Sequence, residues 1–331
     1  MRGGVLVTGG AGYIGGVVVE QLLNKGLRVV VLDNLSTGHR AAVATEGGGA
    51  AFVQGNIGDG ALVGPLLERE GVDAIIHLAA FALVPESVAH PEKYQANNVA
   101  AARVLLDMAV RAKVRRFVFS SSCAVYGHPA TVPISEDTPL APVNPYGETK
   151  REFEEVLAAY TERHGLAAVS LRYFNAAGAT ELRGEDHDPE THLIPNALAV
   201  VAGTRSALEV FGADYPTPDG TAIRDYVHVS DIADAHVRAL DVPLEGQHIA
   251  LNLGTGTGHS VRQVVEAARR VTGSALPTVE RPRRAGDPPA LVAAASRAAT
   301  VLGWRPTQSS LEHILESAWR WHRAHPHGYR S

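Results

Sequence analysis

Thr8-Gly9-Gly10-Ala11-Gly12-Tyr13-Ile14-Gly15 stands between an apolar run, Val5-Leu6-Val7, and a helix-period stretch over 13–24 that stops short of Gly26. Its glycines fall as Gly9-x-x-Gly12-x-x-Gly15. Glycine permits a tight turn and lets the backbone approach a pyrophosphate closely. The start of the helix adds free N–H groups and the positive end of its dipole. A glycine pattern alone says little, but between a strand and a helix it reads as a dinucleotide-binding turn. The next strand, 28–32, is followed by Asp33, where a carboxylate accepts hydrogen bonds from both ribose hydroxyls. A 2′-phosphate would be repelled there, and no arginine follows, only Asn34-Leu35-Ser36-Thr37-Gly38. The expected cofactor is therefore NAD rather than NADP.

Outward from this turn, β-branched runs at 51–53, 74–78, 116–119 and 168–171 alternate with helical patterns over 61–70, 94–111 and 146–164. Wholly apolar strands alternating with helices predict a parallel sheet covered on both faces, a doubly wound Rossmann α/β fold. Asn56-Ile57 ends the third strand and is placed to bracket an adenine; Leu78-Ala79-Ala80 ends the fourth with small residues that admit a cofactor backbone. After about residue 175 the rhythm breaks into a segment rich in Gly, Pro, Asp and Thr. The pattern there predicts helices over 193–202, 230–240, 260–271, 296–302 and 309–323 and strands over 225–229 and 249–253. Ser309 with Glu312 fits a capping box on the last helix. The expected division is an NAD-binding domain, 1–175, and a smaller C-terminal α/β substrate domain, 176–331, with segments near 225–255 returning to the sheet.

The composition fits a folded globular chain: 331 residues, 45% hydrophobic, 20% charged, net charge −5. That balance leaves no electrostatic footprint for nucleic acid. A single cysteine, Cys123, excludes an internal disulfide and suits the cytoplasm. Neither a signal peptide nor a membrane-crossing stretch is expected. Cys123 reads as a small packed residue, and His322, His325 and His327 as a solvated tail, so no metal site is expected.

Chemistry is expected between 120 and 150. Ser120-Ser121-Ser122-Cys123-Ala124-Val125-Tyr126-Gly127 closes a strand, and Tyr146-Gly147-Glu148-Thr149-Lys150 opens a helix. A Tyr and a Lys four apart share a helix face. Tyrosine ionises near pH ~10 in isolation, so as a base it needs its anion stabilised. Lys150 and an oxidised nicotinamide would both supply positive charge, while Ser122 could hold the same substrate hydroxyl.

These stretches together resemble the extended short-chain dehydrogenase/reductase family and, within it, the UDP-hexose 4-epimerases. The most specific parts lie in the second half: Tyr215-Pro216-Thr217-Pro218-Asp219-Gly220-Thr221 and Arg224-Asp225-Tyr226-Val227-His228-Val229. Arg172-Tyr173-Phe174-Asn175, Asn252-Leu253-Gly254-Thr255-Gly256 and Arg283-Arg284-Ala285-Gly286-Asp287 add to it. The resemblance implies interconversion of UDP-galactose and UDP-glucose: Tyr146 takes the proton of the sugar 4-hydroxyl, and the C4 hydride passes to NAD and returns to the other face of a 4-keto sugar. It also implies a cofactor site that includes Asn97, Ser120 and Tyr173, and a homodimer formed through the helices at 94–111 and 146–164. A sugar-nucleotide site is implied at Phe174, Asn175, His192, Leu193, Glu209, Val210, Phe211, Arg224, Tyr226, Arg284, Asp287 and Leu291. Of these, Arg224 and Arg284 suit a diphosphate.

Three positions depart from the family pattern. Asn56 stands where Asp is common, Ala82 where some relatives carry Lys, and Leu291 at a position that helps decide whether an N-acetyl group fits. A 4,6-dehydratase would want an Asp-Glu pair at Cys123-Ala124. A binding protein without catalysis would usually lack the Tyr or the Lys. Epimerases of UDP-N-acetylhexosamines, UDP-pentoses or UDP-uronates remain as alternatives.

Overall fold

The computed structural model describes residues 3–43, 49–284 and 286–329. Within the Arg-rich run before Asp287, Ala285 thus lies outside the described residues. The first half runs β1 (Gly4–Thr8), α1 (Tyr13–Asn24), β2 (Val29–Asp33), β3 (Ala51–Gln54), α2 (Gly60–Arg69), β4 (Val72–His77), α3 (Val84–Ala89), α4 (Pro91–Tyr94), α5 (Ala102–Arg111), β5 (Arg116–Ser122), α6 (Pro145–His164) and β6 (Ala167–Tyr173). The second continues β7 (Asn175–Ala177), α7 (Leu193–Val201), β8 (Leu208–Phe211), β9 (Ile223–Arg224), β10 (Tyr226–His228), α8 (Val229–Ala239), β11 (His248–Leu253), β12 (His259–Ser260), α9 (Val261–Thr272), β13 (Thr278–Arg281), β14 (Ala290–Leu291), α10 (Ser296–Leu302) and α11 (Leu311–Ala324).

Seven parallel strands form the main sheet in the order β11-β6-β5-β4-β1-β2-β3. Every residue of β1 is buried, as a central strand covered on both faces requires. Valines of β1, β2 and α1 pack on one face with Val229, Ile232 and Val237 of α8. On the other, Leu6 and Ile75 meet Leu66 of α2, Leu105 of α5 and Phe153 and Leu157 of α6. The chain leaves β1 toward one edge and reaches β4 on the opposite side, so a crevice opens at the carboxyl ends of these two strands, where doubly wound sheets bind ligands. A third core joins α7, α9 and α11 through Ile194, Val264 and Ile314. Small sheets, β10-β7, β12-β9-β14 and β13-β8, pair the strands of the second half.

Three sequence expectations are corrected. The strand expected over 225–229 is shorter, β10 alone, because Val229 already opens α8; Asp225 lies just before it. The Asp225 carboxylate accepts from the N–H groups of Thr255, Gly256 and Ala293 at 2.9–3.2 Å, while its own N–H donates to Leu291 O at 3.1 Å and its carbonyl accepts Asn175 N–H at 2.9 Å, so its backbone passes from the β14 ladder to the β7 ladder. The helix expected over 94–111 is α5 preceded by a π-helical turn, Gln95–Ala101. The capping box at Ser309 is absent: Ser310 caps α11, and the Ser309 hydroxyl donates to Asp231 at 2.6 Å. A full capping box occurs at Ser260 and Gln263, on α9.

Candidate active site and cofactor cradle

The glycine turn is built by close approach. Gly9 has φ 73°, and a Cβ there would lie 2.6 Å from the Ala79 nitrogen. At Gly15 it would lie 2.0 Å from the Gly9 oxygen, whereas at Gly12 only that oxygen comes near, at 3.3 Å. Gly12 caps α1 without any side-chain hydrogen bond, which leaves the first N–H groups of the helix for an anion. Asp33 is buried and its carboxylate accepts from Ala11 N at 2.9 Å and Leu35 N at 2.8 Å, which aims the remaining lone pairs across the turn. Asn34 closes its own turn on Ser36 N, ahead of Thr37 and Gly38, and a Cβ at Gly38 would press on Ala11. Asn56 already holds Gly58 N–H at 2.8 Å, and Ile57 is buried in the core, so this pair bounds the pocket chiefly through its backbone.

Two side chains of the expected cofactor site have protein partners of their own. The Tyr13 hydroxyl donates to Gly178 O at 2.6 Å. Asn97 sits in the π-helical turn and donates to Asn98 at 3.0 Å. Asn98 itself went unnoticed in the sequence. It pairs with both backbone groups of Phe81 at 2.9 and 3.0 Å and reaches Thr149 at 3.2 Å, tying the Leu78-Ala79-Ala80 loop to α6.

Ser122, Tyr146 and Lys150 come together at the mouth of the crevice. Asn144 caps α6, with its side chain on Gly147 N at 2.9 Å, and Pro145 fills the first helical position. Gly147 lets α6 seat against the turn Cys123–Tyr126, since a Cβ would lie 2.6 Å from Ala124 O. Ser122 accepts Ala124 N–H at 3.2 Å and stands beside the Tyr146 hydroxyl, whose ionisation it eases. Lys150 is buried, donates to Ser120 O at 2.8 Å, and lies 5.7 Å from the Tyr146 ring centre. Burial pulls its ammonium down to about 7, with Glu154 pulling the other way. Burial also raises Tyr146 well above a free phenol, with Ser122 opposing. Tyr173 ends β6, and burial raises its hydroxyl to about 12, with Ser120 opposing.

The sugar-nucleotide candidates fall into three places. Phe174 and Leu291 pack with Cys123, Tyr126, Ile134 and Ala293 in a small cluster beside Ser122. Arg224 pairs with Asp287 at 2.5 Å and with Pro288 O at 2.8 Å, while the Arg284 guanidinium lies 4.2 Å above the Phe211 ring. Glu209 shares the Phe211 face of β8 and binds Arg281 at 2.8 Å; Val210 points into the core. Asn175 pairs with Tyr226 across β7 and β10, and the Tyr226 hydroxyl is raised to about 12 by burial. Leu193 opens α7, but the His192 imidazole faces away, toward Glu185 and Glu190, at 2.8 and 2.9 Å. Two of the C-terminal histidines are not solvated as expected: His322 is half-buried and His325 stacks on Trp321 at 4.8 Å, while His327 is exposed.

Nothing in the cradle opposes NAD: glycines where a Cβ would collide, an uncapped helix start and a buried carboxylate suit a pyrophosphate and an unphosphorylated ribose. Taken with the sheet and the Tyr/Lys pair, this defines a nucleotide-dependent enzyme on a doubly wound fold, and the chain belongs to the NAD dependent epimerase/dehydratase family, whose model matches residues 5–254. Within that family its similarity is to UDP-glucose 4-epimerases. It is 49% identical over 330 residues to the UDP-glucose 4-epimerase of Streptomyces lividans, covering 99% of each chain. The solved UDP-glucose 4-epimerase of Brucella ovis, in complex with NAD, superposes with a TM-score of 0.91 at 47% identity, over 96% of this chain and 98% of that one. That of Bifidobacterium longum, in complex with NAD+ and UDP, superposes at 0.93 and 37% identity, over 98% and 99%.

Proposed function

We propose that this chain interconverts UDP-galactose and UDP-glucose at sugar C4, with Tyr146 as the base, Ser122 as the hydroxyl's second partner and Lys150 as the charge that holds the phenolate. The observation that carries the reading is the meeting of these three side chains at the carboxyl ends of the strands, beside the glycine turn. When bound, NAD would supply the hydride acceptor and donor at sugar C4. Ser122 orients the 4-hydroxyl toward Tyr146, which removes its proton and later gives it back. The Lys150 ammonium stands one helical turn from that phenol, where positive charge favours the phenolate. Phe174 and Leu291 wall the sugar, Phe211 and Tyr226 offer flat faces to a uracil, and Arg224 and Arg284 take the diphosphate, Arg224 exchanging Asp287 for phosphate.

Incubation with UDP-galactose, without added NADH, is expected to yield UDP-glucose by NMR; turnover that consumed stoichiometric NAD would make the chain a dehydrogenase instead. A panel that includes UDP-N-acetylhexosamines, UDP-pentoses and UDP-uronates tests a second reading. It is favoured by Leu291, whose side chain is intermediate in bulk and buried against Cys123 and Phe174. Dehydration is disfavoured because Cys123, its thiol raised to about 12 by burial, stands where an acid would be needed. We place the reaction in the cytoplasm, on the reduced single cysteine, and infer a homodimer through α5 and α6. No helix among the described residues is long and apolar enough to cross a membrane.

A further inference from the structure

The loop between β7 and α7 carries Glu185-Asp186-His187-Asp188-Pro189-Glu190-Thr191-His192. Four of its side chains converge, and one ligand atom from each of Glu185, His187, Glu190 and His192 lies within 4.8 Å of the others. The separations are 3.2 Å from His187 Nδ1 to Glu185 Oε1, 3.8 Å from His187 Nδ1 to Glu190 Oε2, 2.8 Å from His192 Nδ1 to Glu185 Oε1 and 2.9 Å from His192 Nδ1 to Glu190 Oε1. A tetrahedron with metal–ligand bonds of ~2.0–2.1 Å has edges of about 3.3 Å, in the middle of this range. The two imidazoles present the same nitrogen to the same two carboxylates, an N2O2 donor set.

The charge fits as well. Glu185 is 7% exposed and Glu190 17%, so two carboxylates lie close together with little water to screen them. One divalent ion between neutral imidazoles would balance both charges. Imidazole donors disfavour Mg2+ and Ca2+, which take oxygen ligands, and favour Zn2+ and its first-row neighbours. The surrounding loop is already held in place. Asp186 meets His39 at 3.3 Å and accepts Tyr329 N–H at 2.9 Å, Gly184 N donates to the Tyr329 hydroxyl at 3.1 Å, and the Tyr13 ring stands edge-on to His187 at 6.2 Å.

We propose that Glu185, His187, Glu190 and His192 bind a divalent transition-metal ion of the Zn2+ class in a closed, four-ligand structural site that pins this loop between the start of α1 and the start of α7. With all four positions taken by protein the ion has no open site, so its work is to hold shape. The same contacts could instead be satisfied by protonated histidines paired with the glutamates. Metal content separates the two.

The test uses the full chain, incubated with excess Zn2+, desalted and measured by inductively coupled plasma mass spectrometry. About one zinc per chain is expected. Replacement by Co2+ is expected to give the intense visible absorption of four-coordinate cobalt. A strong chelator is expected to lower Tm, and added Zn2+ to restore it. His187→Ala and Glu190→Gln are each expected to lose most of the bound metal while retaining the wild-type far-UV spectrum. Should either variant fail to fold, the chelator experiment on the unaltered chain still decides. Substoichiometric zinc after desalting, or a Tm indifferent to both chelator and Zn2+, overturns the proposal in favour of an ion-pair cluster. So does a folded variant that binds metal as well as the parent.

Discussion

At the scale of single residues, the phenol of Tyr146 and the amine of Lys150 are both far from their ordinary ionisation, and burial is the main cause for each. Tyr146→Phe keeps the ring and the helix but removes the proton carrier. Epimerisation is expected to fall by about 10²–10⁴-fold, the usual worth of a general base, with NAD still bound; near-normal turnover would dismiss Tyr146 as the base. Lys150 predicts a pH dependence of stability. Its folded value of about 7 lies below the ~10.4 of an unfolded lysine, so between these values the unfolded chain binds more protons. Its contribution is therefore full above the unfolded value and is lost as pH falls to 7. Relative to Lys150→Met, the parent's Tm is expected to rise from pH 7 to 10 and to run level below it. A constant offset across that range would contradict the burial assigned to the amine. Ser122, Tyr146, Lys150 and Asp33 were legible in the sequence because each sits at a fixed offset from a strand end or a helix start. Asn98 was not, because its role is to satisfy the backbone of Phe81, and which backbone groups need a partner is known only after the chain folds. The pairing of His192 with Glu185 was likewise hidden, since the alternation Glu-x-His and Glu-x-His in a loop carries no periodicity from which facing side chains can be read.

At the scale of elements, α6 is fixed to the sheet by a buried polar network. Arg172 on β6 meets Glu154 on α6 at 2.5–3.2 Å, Glu154 takes the Ser121 hydroxyl at 2.5 Å, and Arg172 reaches the Tyr126 hydroxyl at 2.9 Å. Tyr126 in turn donates to Asn252 on β11 at 2.7 Å. Glu154→Gln would leave a buried guanidinium without its counter-charge, and a loss of about 3–5 kcal/mol is expected by urea denaturation. A change below ~1 kcal/mol would mean that water or another group takes over. Strand and helix patterns were readable wherever burial imposes a period, as in β1, β2 and α1. They failed where one extra residue widens a helix, as in Gln95–Ala101. That change does not alter hydropathy, so it leaves no trace in the pattern.

At the scale of the whole molecule, α5 and α6 present an outward surface that carries Arg103, Asp107, Glu152 and Tyr160. Light scattering at micromolar concentration is expected to give twice the chain mass; monomer alone would contradict the homodimer. The order of the sheet has a further consequence, for synthesis. β11 is an edge strand on β6, and α8 supplies the apolar cover for one face of β1 and α1. Both come from far down the chain, at 229–239 and 248–253. A fragment ending at residue 175 would carry every strand of the sheet but β11, yet leave Val5, Val7 and Val18 facing water. It is expected to aggregate, and a soluble, NAD-binding 1–175 fragment would contradict this. A ribosome making this chain therefore holds an unroofed sheet until α8 has cleared the exit tunnel, so the nascent protein is most vulnerable while about two thirds of it is complete.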